Sequence, residues 1–140
     1  MKIGYTTGVF DLFHIGHVQL LRRAKSLCDK LIVGVTVDEL VLYKGKRAVI
    51  PFEERLAVVE ACQYTDLAVP QRAIDKVEAV KKLKAEVLFV GDDWYGSKSW
   101  MAMERNLKEI NCSVVYLPYY EGTSSTLINE VLIKLRASSD

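Results

Sequence analysis

Short apolar runs, rich in β-branched residues, alternate along this chain with longer stretches in which apolar residues recur every three or four positions. The short runs read as strands over Lys2–Thr6, Leu31–Val37, Leu67–Val69, Val87–Val90 and Ser113–Leu117. Between the first two, Val18, Leu20, Leu21, Ala24, Leu27 and Cys28 make an apolar stripe while Arg22, Arg23 and Lys25 face away, which predicts an amphipathic helix starting near Ile15 or Gly16. Pro51 suits the first turn of a second helix carrying Phe52, Leu56, Val59 and Ala61. Further helices are predicted over Ala73–Leu83, over Ala102–Ile110, and from Ser124 or Ser125 to about Leu135. Strands alternating with crossover helices place the chain in the α/β class: a Rossmann-like, doubly wound, parallel five-stranded sheet in one domain over residues 1–135, with 136–140 a frayed tail. Such sheets bind ligands beyond the carboxyl ends of their strands, where the strand order switches.

Composition narrows the ligand. The 140 residues are 50% hydrophobic, enough for one buried core, and 19 basic against 18 acidic residues leave a net charge of +1. That balance gives no bulk attraction to nucleic acid or to a membrane surface, so an anionic ligand has to be met locally. Cys28, Cys62 and Cys112 are scattered, without a paired spacing, and suit a reducing compartment. The chain opens on a strand and has no apolar run near the roughly 20 residues that span a bilayer, so a cytoplasmic location is expected.

The densest chemistry is Thr6-Thr7-Gly8-Val9-Phe10-Asp11-Leu12-Phe13-His14-Ile15-Gly16-His17. A strand runs into a glycine turn and then a helix, so backbone amides and the helix dipole favour an anion there, and Gly8 would leave no Cβ in its way. His14 and His17 are about one helical turn apart, with Gly16 between them, so both rings can face one phosphate and donate to it as charge builds in a transition state. Capping or core roles for these histidines are the alternative. Zinc is not expected, because the chain has only these two histidines and no nearby cysteine pair.

Three more clusters fall at predicted strand ends. Gly91-Asp92-Asp93-Trp94-Tyr95-Gly96 offers carboxylates and aromatics to a base and a sugar, or is an acidic turn with Trp94 plugging the sheet. Glu121-Gly122-Thr123-Ser124-Ser125-Thr126 sets hydroxyls at a helix start, as caps or as a second phosphate site. Tyr43-Lys44-Gly45-Lys46-Arg47, with Arg55 beyond it, is either a solvated charged face or a mobile basic loop for a second, phosphorylated substrate, Arg55 gripping the anion bidentately.

Taken in order, Gly8-x-Phe10-Asp11, His14-x-Gly16-His17, Lys44-x-Lys46, Arg55, Tyr64-x-Asp66, Gly91-Asp92-Asp93-Trp94-x-Gly96 and Glu121-Gly122-x-Ser124-x-Thr126 resemble the motifs of the small cytidylyltransferases, most of all the glycerol-3-phosphate cytidylyltransferases, over about residues 1–135. The resemblance implies transfer of CMP from CTP to glycerol 3-phosphate, releasing pyrophosphate and giving CDP-glycerol, a cell-envelope precursor. Another phospho-alcohol, an adenylyltransferase of the same fold, or a non-catalytic nucleotide sensor are the alternatives. By the same resemblance His14, His17 and Lys46 are catalytic. Thr7, Gly8, Val9, Phe10, Asp11, Gly16, Asp93, Trp94, Glu121, Gly122, Ser124, Ser125 and Thr126 hold the nucleotide, with Asp11 ordering the loop and a neighbouring metal or water. Lys44 and Arg55 receive substrate phosphate. Mg2+ is expected on the triphosphate with no dedicated protein ligands, and the chain is expected to form a homodimer. Two positions depart from the family pattern: Gln63 and Tyr119 stand where arginines are usual, which removes charge attributed to the phosphate region.

Overall fold

A computed structural model describes residues 1–91, 98–118 and 125–138. In chain order the elements are β1 (Ile3–Gly8), α1 (Ile15–Ser26), β2 (Lys30–Thr36), α2 (Asp38–Tyr43), α3 (Phe52–Ala61), β3 (Leu67–Gln71), α4 (Val77–Leu83), β4 (Val87–Gly91), α5 (Lys98–Glu109), β5 (Ser113–Leu117) and α6 (Ser125–Ser138). All strand pairs are parallel, and the sheet order is β3-β2-β1-β4-β5. This is the Rossmann-like doubly wound sheet expected from the alternation of strands and helices. The order reverses between β1 and β4, so the crevice at that switch opens above the carboxyl end of β1, from which the glycine-histidine segment leaves.

Both faces of the sheet are covered, which is why the central strands read as near-continuous apolar runs. Along β2, Leu31, Val33 and Val35 join Leu21 and Ala24 of α1 and Val59 of α3 in one core cluster, whereas Ile32 turns to the other face with Val80 of α4 and Trp100 and Leu107 of α5. Along β4, Val87 and Phe89 take the first face, Leu88 and Val90 the second. Complete burial of one leucine side chain contributes about 1.5–3 kcal/mol, so these layers fix the strand register, and with it which residues reach the carboxyl edge.

Several boundaries differ from the sequence expectation. α2 was not anticipated. α4 begins at Val77 rather than Ala73, because Asp75 Oδ1 accepts from Val77 N–H at 2.8 Å and closes a local turn in place of helix. α5 starts at Lys98, earlier than Ala102, and α6 continues to Ser138 beyond Leu135. Leu27, placed on the buried stripe, caps α1 at its C-terminus and is 48% exposed. Among the described residues no helix is long and apolar enough to cross a membrane.

Candidate active site

The segment after β1 turns sharply. Phe10 and Leu12 both hold left-handed backbone, with φ of 54° and 50°, a conformation that costs a non-glycine residue about 1–3 kcal/mol and that surrounding contacts must enforce. Gly8 carries no such φ. A Cβ there would lie 2.9 Å from the Phe10 ring, so the glycine makes room for that ring. Phe10 is buried and forms a wall for His17, edge-on at 5.4 Å between centroids, and Phe13 stacks on the same imidazole at 5.3 Å.

The two histidines are both caps and candidate ligands. His14 is the N-cap of α1, and its Nδ1 accepts from Gly16 N–H at 3.0 Å; His17 Nδ1 accepts from His14 N–H at 3.2 Å. This is a capping box built from imidazoles in place of a hydroxyl and a carboxylate. Because each Nδ1 is an acceptor, each neutral ring carries its proton on Nε2, the nitrogen turned away from the helix cap. The ring centroids are 3.9 Å apart, so two Nε2–H donors stand side by side at the positive end of a 12-residue helix. Burial lowers the pKa of His14. Burial, then the neighbouring His14, push His17 down to about 4, against a smaller upward pull from Asp11. Both rings are therefore neutral donors near pH 7.

Asp11 pins a second segment to this one. Its Oδ2 accepts from Val49 N–H at 2.8 Å and its Oδ1 from Ile50 N–H at 2.9 Å. These two bonds tie the turn after β1 to the segment before α3. With both oxygens engaged by amides, Asp11 is better suited to holding the loop than to ligating a metal. Among the described residues no group of three or more His, Cys, Asp or Glu side chains could hold a metal ion.

Arg55 requires a correction. It was expected to grip substrate phosphate, yet it is 1% exposed and its guanidinium is spent on the scaffold: Nε donates to Ile50 O (2.8 Å), Nη1 to Val9 O (2.8 Å) and Thr36 O (2.7 Å), and Nη2 to Asp38 Oδ1 (2.6 Å). One side chain thus ties together the ends of β1 and β2, the start of α2 and the loop before α3. Asp38, unmarked by sequence reasoning, completes the staple by accepting from Phe52 N–H at 3.1 Å. Burial raises its carboxyl pKa, but the bonds from Phe52 and Arg55 and the charge of Arg55 prevail and hold it below the usual range.

Lys44 caps α2 at its C-terminus, and Lys46 lies two residues on, where the chain leaves the helix. Gly45, at φ 77°, lets Gly45 N–H donate to Leu42 O (2.9 Å) and Lys46 N–H to Val41 O (3.2 Å), the paired bonds of a Schellman stop. The lysines flank that glycine and are both exposed. Burial, then Lys46, lower the pKa of Lys44.

Gln63 also changes meaning. It is exposed, between the end of α3 and the start of β3, at the amino end of the parallel strands. The histidines follow the carboxyl end of β1, so Gln63 removes no charge from its own chain's site. Asp66 nearby is structural, accepting from Leu31 N–H and from Lys25 Nζ, each at 2.7 Å. The candidates Asp93, Trp94, Glu121, Gly122 and Ser124, and the departure at Tyr119, lie outside the described residues, as do the side chains of Ser125 and Thr126; the backbone of these last two opens α6.

The cytidylyltransferase-like family matches residues 5–131. The chain is 38% identical over 136 residues to a glycerol-3-phosphate cytidylyltransferase of Bacillus subtilis, covering 96% of this chain and 100% of that protein. It is also 36% identical over 132 residues to an FAD synthase of Archaeoglobus fulgidus, covering 91% and 96%. A crystal structure of a lipopolysaccharide core biosynthesis protein from Thermoplasma volcanium superposes with a TM-score of 0.73 at 24% identity over 88% of this chain and 99% of that one, which speaks for the fold. The chain belongs to the cytidylyltransferase-like family.

Proposed function

We propose that this member of the cytidylyltransferase-like family transfers CMP from CTP to a small phosphorylated alcohol, with glycerol 3-phosphate the leading acceptor. The observation that carries the reading is the imidazole capping box, which presents two fixed Nε2–H donors at the head of α1. A phosphomonoester oxygen of the acceptor attacks the α-phosphorus of CTP; the new P–O bond forms as the α–β bond breaks, and pyrophosphate leaves with the electron pair. Negative charge grows on the α-phosphate oxygens between these events, where His14 and His17 donate. Neutral rings suit this task, since they stabilise charge without surrendering a proton, and no protein nucleophile is needed. Lys44 and Lys46 supply positive charge to the phosphates. Bound to the triphosphate, magnesium would neutralise part of its charge, and no side chain of this chain is assigned to hold it. Asp11 and Arg55 act through the backbone, holding the segments that carry these groups.

A second reading, transfer of AMP to a flavin phosphate, is favoured by the FAD synthase likeness at 36% identity, close to the 38% of the cytidylyltransferase. Pyrophosphate release with Mg2+ and either CTP or ATP, against glycerol 3-phosphate, ribitol 5-phosphate, phosphoethanolamine, phosphocholine and FMN, separates the two. Turnover with CTP and glycerol 3-phosphate is the expected result. Turnover confined to ATP and FMN would replace the first reading by the second, and nucleotide binding without turnover anywhere would make the chain a sensor.

A further inference from the structure

Tyr5 carries a hydroxyl that the fold leaves without a partner. The side chain extends from the middle of β1 among Ile32, Val80, Leu88, Trp100 and Leu107, on the face of the sheet opposite α1, and is 1% exposed. Its ring leans across to β2: a Cβ on Gly34 would lie 2.5 Å from Tyr5 Oη, so only a residue without a side chain fits beside it. Gly34 pairs with Thr7 in the β1–β2 register, two residues past Tyr5, so the phenol oxygen stands about 7 Å nearer the carboxyl edge than its own backbone. Among the described residues nothing hydrogen-bonds this oxygen, and burial alone pushes its pKa up to about 12. The hydroxyl is unpaired without being wholly sealed, so the little surface that Tyr5 keeps includes its tip.

The neighbours define what that tip can meet. Thr7 projects from the same face of β1, one step nearer the carboxyl edge, with its Cγ2 3.1 Å from the same Gly34 position. On β2 and β3, Thr36 Oγ1 donates to Gln71 Oε1 at 2.6 Å and Gln71 Nε2 donates to Ala73 O at 3.1 Å, so these buried groups satisfy one another and do not serve Tyr5. A neutral phenol, which both donates and accepts, suits an alcohol hydroxyl and offers nothing to a quaternary ammonium. Position selects the substrate. Tyr5 leans to the β2 side of β1, away from the crevice between β1 and β4. In-line displacement sets the incoming acceptor and the departing pyrophosphate on opposite sides of the α-phosphorus, so with the nucleotide in the crevice the β2 side receives the acceptor.

Resting on the proposed transferase reading, we infer that Tyr5 is a specificity-determining residue whose phenol oxygen hydrogen-bonds a hydroxyl on the carbon chain of the acceptor, which makes the acceptor a polyol phosphate. Glycerol 3-phosphate, ribitol 5-phosphate and FMN carry such a hydroxyl, and phosphocholine and phosphoethanolamine do not. A site built to bond a substrate hydroxyl disfavours the analogue that lacks it, because the protein group is then left unpaired beneath the ligand. Gly34 takes part by leaving the space into which the phenol leans.

Varying the side chain and the ligand together tests this without requiring turnover. Glycerol 3-phosphate, ribitol 5-phosphate, FMN and the hydroxyl-free propyl phosphate are titrated calorimetrically into the full chain and into Tyr5→Phe, with CTP in parallel. Phenylalanine fills the same space and removes only the unpaired oxygen, so the thermal melt should hold or rise. Expected is a weakening of the best-binding hydroxyl-bearing ligand by about three- to tenfold in Tyr5→Phe, the range for one neutral hydrogen bond, with propyl phosphate and CTP within about twofold of the unaltered chain. No weakening of the hydroxyl-bearing ligand would overturn the inference, and so would an equal weakening of propyl phosphate. Weakened CTP would overturn it by assigning the phenol to the nucleotide's ribose. Failure of all three hydroxyl-bearing ligands to bind the unaltered chain at millimolar concentration would also overturn it. The selective loss without turnover of any nucleotide and acceptor would keep the Tyr5 contact and remove the transferase reading, whereas turnover confined to phosphocholine or phosphoethanolamine would keep that reading and overturn the inference.

Discussion

At the scale of single residues, His14 and His17 do two jobs with opposite ends of the same rings, and substitutions can separate them. Nδ1 caps the helix; Nε2–H faces outward. His14→Ala is expected to cost about 1 kcal/mol of stability through the lost cap and about 10²–10³-fold in turnover through the lost donor. His14→Ser restores a capping oxygen but cannot reach as far, so a urea melt should return close to the unaltered chain while turnover stays low. Recovery of both together would mean that the imidazole acts only as a cap. The pH dependence follows from the same geometry. His17 has its folded pKa lowered from 6.5 to about 4, so between these values the unfolded chain binds the extra proton. The stability is full above pH 6.5 and falls as pH drops toward 4, by up to about 3 kcal/mol. Urea midpoints measured from pH 7.5 to 4 on the unaltered chain and on His17→Gln check it: the variant's curve should be flatter across that window.

At the scale of elements, the site is held by two short connections whose residues look like a charged surface loop in the sequence. Gly45→Ala puts a Cβ on a left-handed residue and should cost about 1 kcal/mol. Among the described residues no atom beyond the adjoining Lys44 and Lys46 lies within 4 Å of that Cβ position, so the penalty is conformational, and its functional effect comes from displacing Lys44 and Lys46; a raised acceptor KM with little change in nucleotide KM is the expected pattern. Arg55→Met should be far more damaging, at about 3 kcal/mol or more, since three backbone carbonyls and Asp38 lose their donor together. A guanidinium bound for substrate would instead leave the melting curve in place and alter only kinetics. The contrast between Arg55 and the histidines marks how far the sequence could be read. A glycine turn followed by two histidines at one-turn spacing is local information, and the helix start and paired rings followed from it. Arg55 is an arginine on a helix in either reading, and only tertiary contacts with Val9, Thr36 and Asp38 decide that it points inward. α2 escaped notice because six residues do not display a helical period and its N-cap, Val37, has no capping side chain.

At the scale of the whole molecule, parallel topology puts the residues that enter strands and those that leave them at opposite ends of the sheet, and this changes what the departure from the family pattern at Gln63 means. All five strands point the same way, so a residue entering a strand and a residue leaving one are separated by the strand's length, roughly 3.3 Å per residue. β3 is five residues long, which puts its two ends more than about 13 Å apart, beyond the Debye length of about 8 Å at physiological salt. Gln63 precedes β3, whereas His14 and His17 follow the opposite, carboxyl end of the parallel strands. A charge restored by Gln63→Arg therefore cannot serve its own chain's phosphates, and kcat/KM in the monomeric protein is expected to stay within twofold. The same variant reports on assembly. If Gln63→Arg raises activity, the guanidinium must be reaching the site of a second copy, and the gain should vanish on dilution to concentrations at which sedimentation shows only monomer. A gain that survives in the monomer would contradict the strand directions themselves, because no path within one chain brings position 63 to the carboxyl edge without reversing β3.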